Sequence, residues 1–356
     1  MGEFIRNAWY VGAWDNELGD TPLAVRIIDE ALVLYRRRDG SAVALSDTCP
    51  HRFAPMHRGR IVDDAIQCGY HGLLFDAGGA CIHNPVGEGT VPRAARLASY
   101  PVVAKNMLLW VWMGDRDKAD PRAIPDFGWL DDQATYVMTP THAMRQPIGY
   151  ELIIDNLLDL THGAFLHPTT LGTEALARGT ATVTQADDRI HYNRWNPEGE
   201  PATLFTIAGA AKAGEPVDFW NDMRWDAPGA FYLEVGITQP GRPREEGSFM
   251  GSVHILTPES ATSTVYRWLL FRNFAKDNAE ITRSIEDLVE YAFRKEDEPM
   301  LIAVQESMAG RDFWDMKPLL LPSDKAAVLA RRTLDRLAAT ERGERAEAPA
   351  IHTVPA

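Results

Sequence analysis

Two short motifs concentrate metal-binding side chains near residue 60. Cys49-Pro50-His51 is followed, after sixteen intervening residues, by Cys68-Gly69-Tyr70-His71. Two Cys and two His can close on one inorganic centre, and zinc takes that donor set readily. Zinc fingers, however, usually pair Cys with Cys and His with His, with the histidines on a helix. Here each arm carries one of each on a loop between strands. The mixed pairing fits a two-iron, two-sulfur cluster in which thiolates hold one iron and imidazoles the other. Neutral imidazoles lower the cluster's negative charge and raise its potential, so it accepts an electron readily and passes it on. Cys81, His57 and His83 lie outside the pattern and read as structural residues, Cys81 as a small buried one.

A second group lies at Asn156, Asp159, His162 and His167. The first three are spaced three apart and would share one side of a helix. His167 lies five residues beyond His162, off that face, and a bend at Gly163 or Pro168 would return it. Two histidines and one carboxylate hold non-haem iron with positions open for O2. Asp155 and Asp159 are the local carboxylate candidates.

These residues carry a family resemblance. Cys49-Pro50-His51-Arg52 with Cys68-Gly69-Tyr70-His71-Gly72 resembles the Rieske signature, and Arg52 to Pro55 and Leu73 to Asp76 resemble its oxygenase branch. Asn156, Asp159, His162 and His167 match the N-x-x-D-x-x-H-x-x-x-x-H pattern of Rieske non-haem iron oxygenases. The likeness runs from Phe4 to the helix containing Asp297, and is strongest to the vanillate O-demethylase, dicamba and toluenesulfonate monooxygenase group.

The resemblance implies a 2Fe-2S cluster on Cys49, His51, Cys68 and His71, and a mononuclear Fe(II) on His162, His167 and a carboxylate from a late helix. Asp297 is that carboxylate by likeness, and Glu296 competes because one sequence does not fix helix phase. Asp159 would lie between the cluster of one subunit and the iron of the next, bonded to a histidine ligand at each; electrons would run through His71, Asp159 and His162. Asn156 would sit beside the iron. A head-to-tail homotrimer follows, since heterologous contacts close into rings.

The implied activity is an oxygenase component using O2 and reductase-supplied electrons to O-demethylate a methoxylated aromatic acid, vanillate-like. Hydroxylation of the ether methyl gives a hemiacetal that collapses to a phenol and formaldehyde. Toluenesulfonate-like hydroxylation of an aryl methyl group is the alternative, and ring dihydroxylation a further one. Partners would be an NADH-dependent flavin/iron-sulfur reductase or a ferredoxin, because no Gly-rich dinucleotide fingerprint follows a strand here. His254 is the pocket candidate, and Asn221, Phe231 and Leu233 are weaker ones, all on strands of the second domain.

The elements that must position these residues divide the chain. Short strand-like runs fill the first hundred residues: Leu23 to Ile28, Ala31 to Tyr35, Ala42 to Leu45, Ile66 to Cys68, Leu73 to Asp76 and Leu108 to Met113. Turn signals such as Asp39-Gly40 and Gly78-Gly79 separate them. This predicts an all-β Rieske domain over 1–118 and an Asp- and Pro-rich linker over 119–135. A catalytic domain over 136–341 and a mobile tail over 342–356 complete the chain. Within the catalytic domain the pattern predicts a strand over 136–143, helices over 150–162, 278–307 and 323–340, and strands between 180 and 272. The fold class is α+β, the second domain a START-like helix-grip with a curved antiparallel sheet.

Composition bounds the rest. With 356 residues, two domains are expected. A formal charge of −14 works against nucleic acid as a partner. The longest apolar run is too short for a bilayer, and the N-terminus lacks a signal peptide's apolar core. A cytoplasmic enzyme is expected.

Overall fold

The computed structural model describes residues 4–132, 134–172, 176 and 180–344. They form two compact units. One holds Phe4–Asp131 with Thr257–Ser260; the other holds Asp132–Leu256 and the described residues from Ala261 onward. No described helix is long and apolar enough to cross a membrane.

The first unit is built of antiparallel strands in three small sheets. Strand Glu30–Arg36 separates two apolar cores, because alternate side chains point to opposite faces. Leu32 and Leu34 join Tyr10, Leu109 and Val111 in one core. Val33 and Tyr35 join Met56, Phe75, Cys49 and Cys68 in the other. The cysteines are thus anchored in hydrophobic packing, while their loops reach the surface.

Three hairpins turn on residue pairs with positive φ and no glycine: Ile28-Asp29, Asp63-Asp64 and Asn106-Met107. Such two-residue turns match the twist of the flanking strands. The expected linker is largely packed into this unit: Ile124, Phe127 and Leu130 are buried, and Asn106 bonds Asp131 and the Phe127 amide. Residue 133 and residues 345–356, most of the expected tail, lie outside the described residues.

The second unit pairs an antiparallel sheet with helices. Its strands run, in spatial order, Val137–Met138, Ser263–Arg272, Ser248–Ser260, Ala230–Thr238, Val217–Asp226, Arg189–Gly199 and Thr180–Ala186. His142–Gln146 also pairs with Ser263–Arg272. The strand expected over 136–143 is two strands, since Pro140 has no N–H for the ladder.

The helices are α1 (Tyr150–Leu158), α2 (Gly163–Leu166), α3 (Thr203–Ile207), α4 (Ala279–Tyr291), α5 (Glu298–Met308) and α6 (Lys325–Glu341). Asn278 caps α4, its side chain accepting from the amides of Glu280 and Ile281 at 3.1 Å. Two predicted helices are interrupted. The one over 150–162 stops at Leu158, where Asp159 takes φ −119 and ψ 81 before a 3-10 turn over Leu160–His162. The one over 278–307 widens to a π-helical turn at Ala292–Asp297. Pro299, two residues on, lacks the N–H that a regular helix would use there. Both interruptions fall on candidate iron ligands.

Candidate functional site

The Cys/His loops of the first unit are built alike. The Cys49 amide donates to the Ala54 carbonyl and the Phe53 amide returns to the Cys49 carbonyl, both at 2.9 Å. In the second loop the Cys68 amide donates to Leu73 at 2.8 Å and Gly72 to Cys68 at 3.1 Å. Phe53 and Gly72, each four residues past a cysteine, have φ of 59 and 76. Gly72 has a second reason to be glycine, because a Cβ would lie 2.8 Å from Pro85 Cγ. Each reversal carries its cysteine inward and its histidine outward.

Cys49 and Cys68 are buried, His51 is exposed and His71 half-buried. The two imidazole centroids stand 4.5 Å apart. Burial pushes the Cys49 thiol up, and the neighbouring Cys68 adds to this. Two buried thiols beneath two converging imidazoles fit a cluster that takes two sulfur and two nitrogen ligands. Cys81 is half-buried, its thiol 3.5 Å from the His83 carbonyl. His57 is held by the buried Asp47, with Nδ1 2.6 Å from Oδ2.

In the second unit the ligand atoms of His162, His167 and Asp297 lie within 4.8 Å of one another. Asp297 Oδ1 is 3.2 Å from His167 Nε2 and 3.6 Å from His162 Nε2. The other ring nitrogens are occupied: His162 Nδ1 by the Asp159 carbonyl, and His167 Nδ1 by Glu296 Oε2 at 2.7 Å. Those partners fix the tautomers, so that both Nε2 lone pairs face one point.

Asp297 and Glu296 take different places in the structure. In a regular helix consecutive residues point about 100° apart. The widened turn brings both carboxylates to the histidines: Asp297 faces the donor cluster, and Glu296 sits behind His167, where it also accepts from Thr170 Oγ1 at 2.7 Å. Burial alone would lower the pKa of His167, but Asp297 and Glu296 outweigh it and hold it above the ordinary value.

Asn156 donates to Asp297 Oδ1 at 3.1 Å. The Asp159 carboxylate accepts from the amide and hydroxyl of Thr161, at 3.0 and 2.5 Å, so its link to His162 runs through the backbone carbonyl. Asp155 is occupied elsewhere, paired with the buried Arg331 at 2.6 Å together with Glu151 at 2.9 Å. The chain folds back after His167, where the Gly172 amide donates to its carbonyl at 2.9 Å. A Cβ on Gly172 would fall 1.7 Å from the Gly163 carbonyl oxygen, so only glycine fits.

The three donors open into a cavity of about 120 Å³ between sheet and helices. Strand alternation lines its sheet side with Phe219 and Asn221, Leu233 and Val235, and Met250, Ser252 and His254. His254, Asn221 and Leu233 all line the cavity; Phe231 does not. Sequence reasoning missed Ser252, which strand alternation with His254 would have found. It also missed Tyr266, which bonds His254 Nδ1 at 2.7 Å. Burial pushes His254 down to about 3, so it is neutral.

Comparison with known proteins agrees with this geometry. Residues 8–101 match the Rieske [2Fe-2S] domain and residues 148–340 the vanillate O-demethylase oxygenase C-terminal domain. The oxygenase component of chloroacetanilide N-alkylformylase from Rhizorhabdus wittichii is 39% identical over 93% of this chain and 95% of its own. The oxygenase component of dicamba O-demethylase from Stenotrophomonas maltophilia is 39% identical over 94% and 98%. The crystal structure of dicamba monooxygenase bound to 3,6-dichlorosalicylic acid superposes with a TM-score of 0.91 at 38% identity, covering 96% of this chain and 100% of that one. A further structure of that enzyme, with non-haem iron and dicamba, gives 0.83 at 37% identity, over 96% and 99%. The chain therefore belongs to the Rieske non-haem iron oxygenases of the vanillate O-demethylase group, an oxygenase component whose cofactors are a 2Fe-2S cluster and a mononuclear iron.

Proposed function

We propose that this oxygenase component O-demethylates an aromatic methyl ether, releasing formaldehyde. The observation that carries the reading is the His162, His167 and Asp297 cluster opening into a cavity lined mainly by apolar side chains. Cys49, His51, Cys68 and His71 hold the cluster, and His162, His167 and Asp297 hold the iron. When bound, these groups supply stored electrons and the O2 chemistry.

The protein's own part is positional. Glu296 and the Asp159 carbonyl keep protons on the outer nitrogens of His167 and His162. Asn156 holds one oxygen of Asp297 by donating to it. Phe205, Phe219, Val235 and Leu270 line the cavity and keep water from the reacting methyl. Once that methyl is hydroxylated, the hemiacetal's C–O bond to the ring oxygen breaks; the ring oxygen takes up a proton as the phenol, and formaldehyde leaves.

Electrons come from a separate reductase or ferredoxin, and the active species is a head-to-tail trimer in which Asp159 links neighbouring subunits. An exposed apolar strip beside Asp159 and His162 supports the trimer. It includes Leu319, Val304 and Met316, the first 72% exposed. The acid group expected from the sequence has less support, since no Lys or Arg lines the cavity among the described residues.

The test is single turnover by chemically reduced, iron-loaded protein under ¹⁸O2 with methoxybenzene derivatives. Formaldehyde with an unlabelled phenol oxygen is expected. A labelled cis-diol, or an alcohol formed only from aryl methyl groups, would replace this reading by one of the other two.

A further inference from the structure

A chain of aromatic rings leads from the iron cavity to the protein surface. Alternation along Ser263–Arg272 puts Tyr266, Trp268 and Leu270 on one face, and Leu270 lines the cavity. Phe293, on the widened turn four residues before Asp297, packs on this face and also lines the cavity. Its ring centroid is 5.4 Å from that of Tyr266 and 5.7 Å from that of Trp268. Trp268 in turn stacks on His142, its register partner on the neighbouring strand, with centroids 3.8 Å apart. His142 Nε2 lies 2.8 Å from Glu286 Oε1 on α4, and these two side chains are 20% and 19% exposed. The rings thus run from cavity wall to solvent edge.

Apolar packing accounts for the contacts but not for the choice of rings. Tyr266 and Trp268 are buried, and their phenol and indole are among the side chains that give up one electron most readily. A phenol does so easily only where a base takes its proton as the electron leaves. Tyr266 has that base: its hydroxyl lies 2.7 Å from His254 Nδ1. Burial holds the phenol un-ionised and the imidazole neutral, so the proton rests on oxygen and the nitrogen accepts it. The charge of Asp297 reaches both groups, which places them beside the iron ligands. At the far end the Glu286 carboxylate favours positive charge on the stacked His142 and Trp268.

We propose that Tyr266, Trp268 and His142 carry an oxidising equivalent away from the iron when no substrate is bound to consume it. Hydrogen peroxide meeting the ferrous site takes one electron from iron and one from Tyr266, and two solvent protons complete two waters. The phenolic proton passes to His254 Nδ1, leaving a neutral phenoxyl radical. An electron from Trp268 then refills Tyr266, the proton returns from His254, and a tryptophan radical cation remains against His142. A thiol or ascorbate in solution reduces it by one electron at the surface. His162, His167 and Phe293 are thereby spared oxidation. This function does not depend on which substrate is demethylated; it requires only iron at His162, His167 and Asp297.

The test mixes substrate-free holoenzyme, its cluster oxidised and its mononuclear iron ferrous, with hydrogen peroxide and freezes it at successive times for EPR. An organic radical is expected, narrowed first by ring-deuterated tyrosine and later by indole-deuterated tryptophan. Trp268→Phe should lose the tryptophan component and prolong the tyrosine one. Trp268→Tyr, which keeps an oxidisable ring, should restore the decay. Peptide mass spectrometry in the absence of thiol should find oxidised Trp268 in the wild type. In Trp268→Phe the oxidation should shift to Phe293 and the histidine ligands. The isotope labels and the wild-type peptides need no substitution, so they decide the matter even where a variant fails to fold. The proposal is overturned if the tryptophan component is absent, if it forms unchanged in Tyr266→Phe, or if it persists after zinc replaces the mononuclear iron. Oxidation of surface residues with Trp268 intact overturns it equally.

Discussion

The two metal-binding regions solve one problem in opposite ways. The Cys/His loops are local: each brings its ligands within three positions of chain and is closed by its own backbone hydrogen bonds. The iron site is assembled from afar. Asp297 comes from 130 residues beyond His167, and its approach depends on a broken helix, a widened turn and a glycine contact. A site of the first kind depends on its loops; one of the second kind depends on the packing of a whole unit. The first should therefore survive damage to the second.

The largest effect should come from His162→Ala. Turnover should vanish and the mononuclear iron be lost, with the cluster's visible absorption unchanged. Loss of the absorption as well would mean that the regions are not independent.

Arg331→Met comes next. It leaves Asp155 and Glu151 without their buried cation and should cost about 3–5 kcal/mol by denaturant titration of the holoenzyme. The cluster spectrum of the folded fraction should stay normal. A cost near zero would show that the two acids take up protons or water instead.

Glu296→Gln tests support from behind the ligand. It should lower iron affinity or activity by about 10–100-fold. The same change enters a pH experiment. The folded pKa of His167 is raised by Asp297 and Glu296, so protonated His167 stabilises the metal-free protein fully below the unfolded value of 6.5. That stabilisation is lost as pH rises through the folded value. Metal-free wild type should thus lose more stability than metal-free Glu296→Gln across that window. Parallel curves would show that Glu296 does not raise His167. Iron competes with the same proton, so iron affinity should fall as pH drops through that range.

The smallest effect is a gain. Asn221→Leu removes a buried amide oxygen that has no partner and should stabilise the substrate-free protein by about 1 kcal/mol in thermal unfolding. A clear loss would indicate that water already satisfies the group.

The same contrast explains what the sequence revealed. The two Cys/His loops were legible because motif and geometry coincide within a few residues. Six of the first unit's eleven described strands were legible as short runs between turn signals, but hairpins such as Asp63-Asp64 turn without glycine and give no such signal. Asn156, Asp159 and His162 matched a pattern, yet the helix presumed to align them ends at Leu158. Glu296 and Asp297 were rivals under a regular helical phase; a π-helical turn gives both a place, and no periodicity rule foresees it. Asp155 is sequence-adjacent to the site but bound to Arg331, a partner 176 residues away. Ser252 was within reach of alternation from His254, whereas Tyr266 lies on a different strand, and the unmet Asn221 oxygen is visible only in the folded structure.

One chain is expected to carry two separable iron sites with these ligands. Iron and acid-labile sulfide, measured per chain on anaerobically purified wild type and His162→Ala, test it most directly. Wild type should contain the two irons and two sulfides of the cluster plus one further iron, and the variant should lose that last iron alone. Retention of all the iron by the variant, or loss of sulfide along with iron, would contradict it.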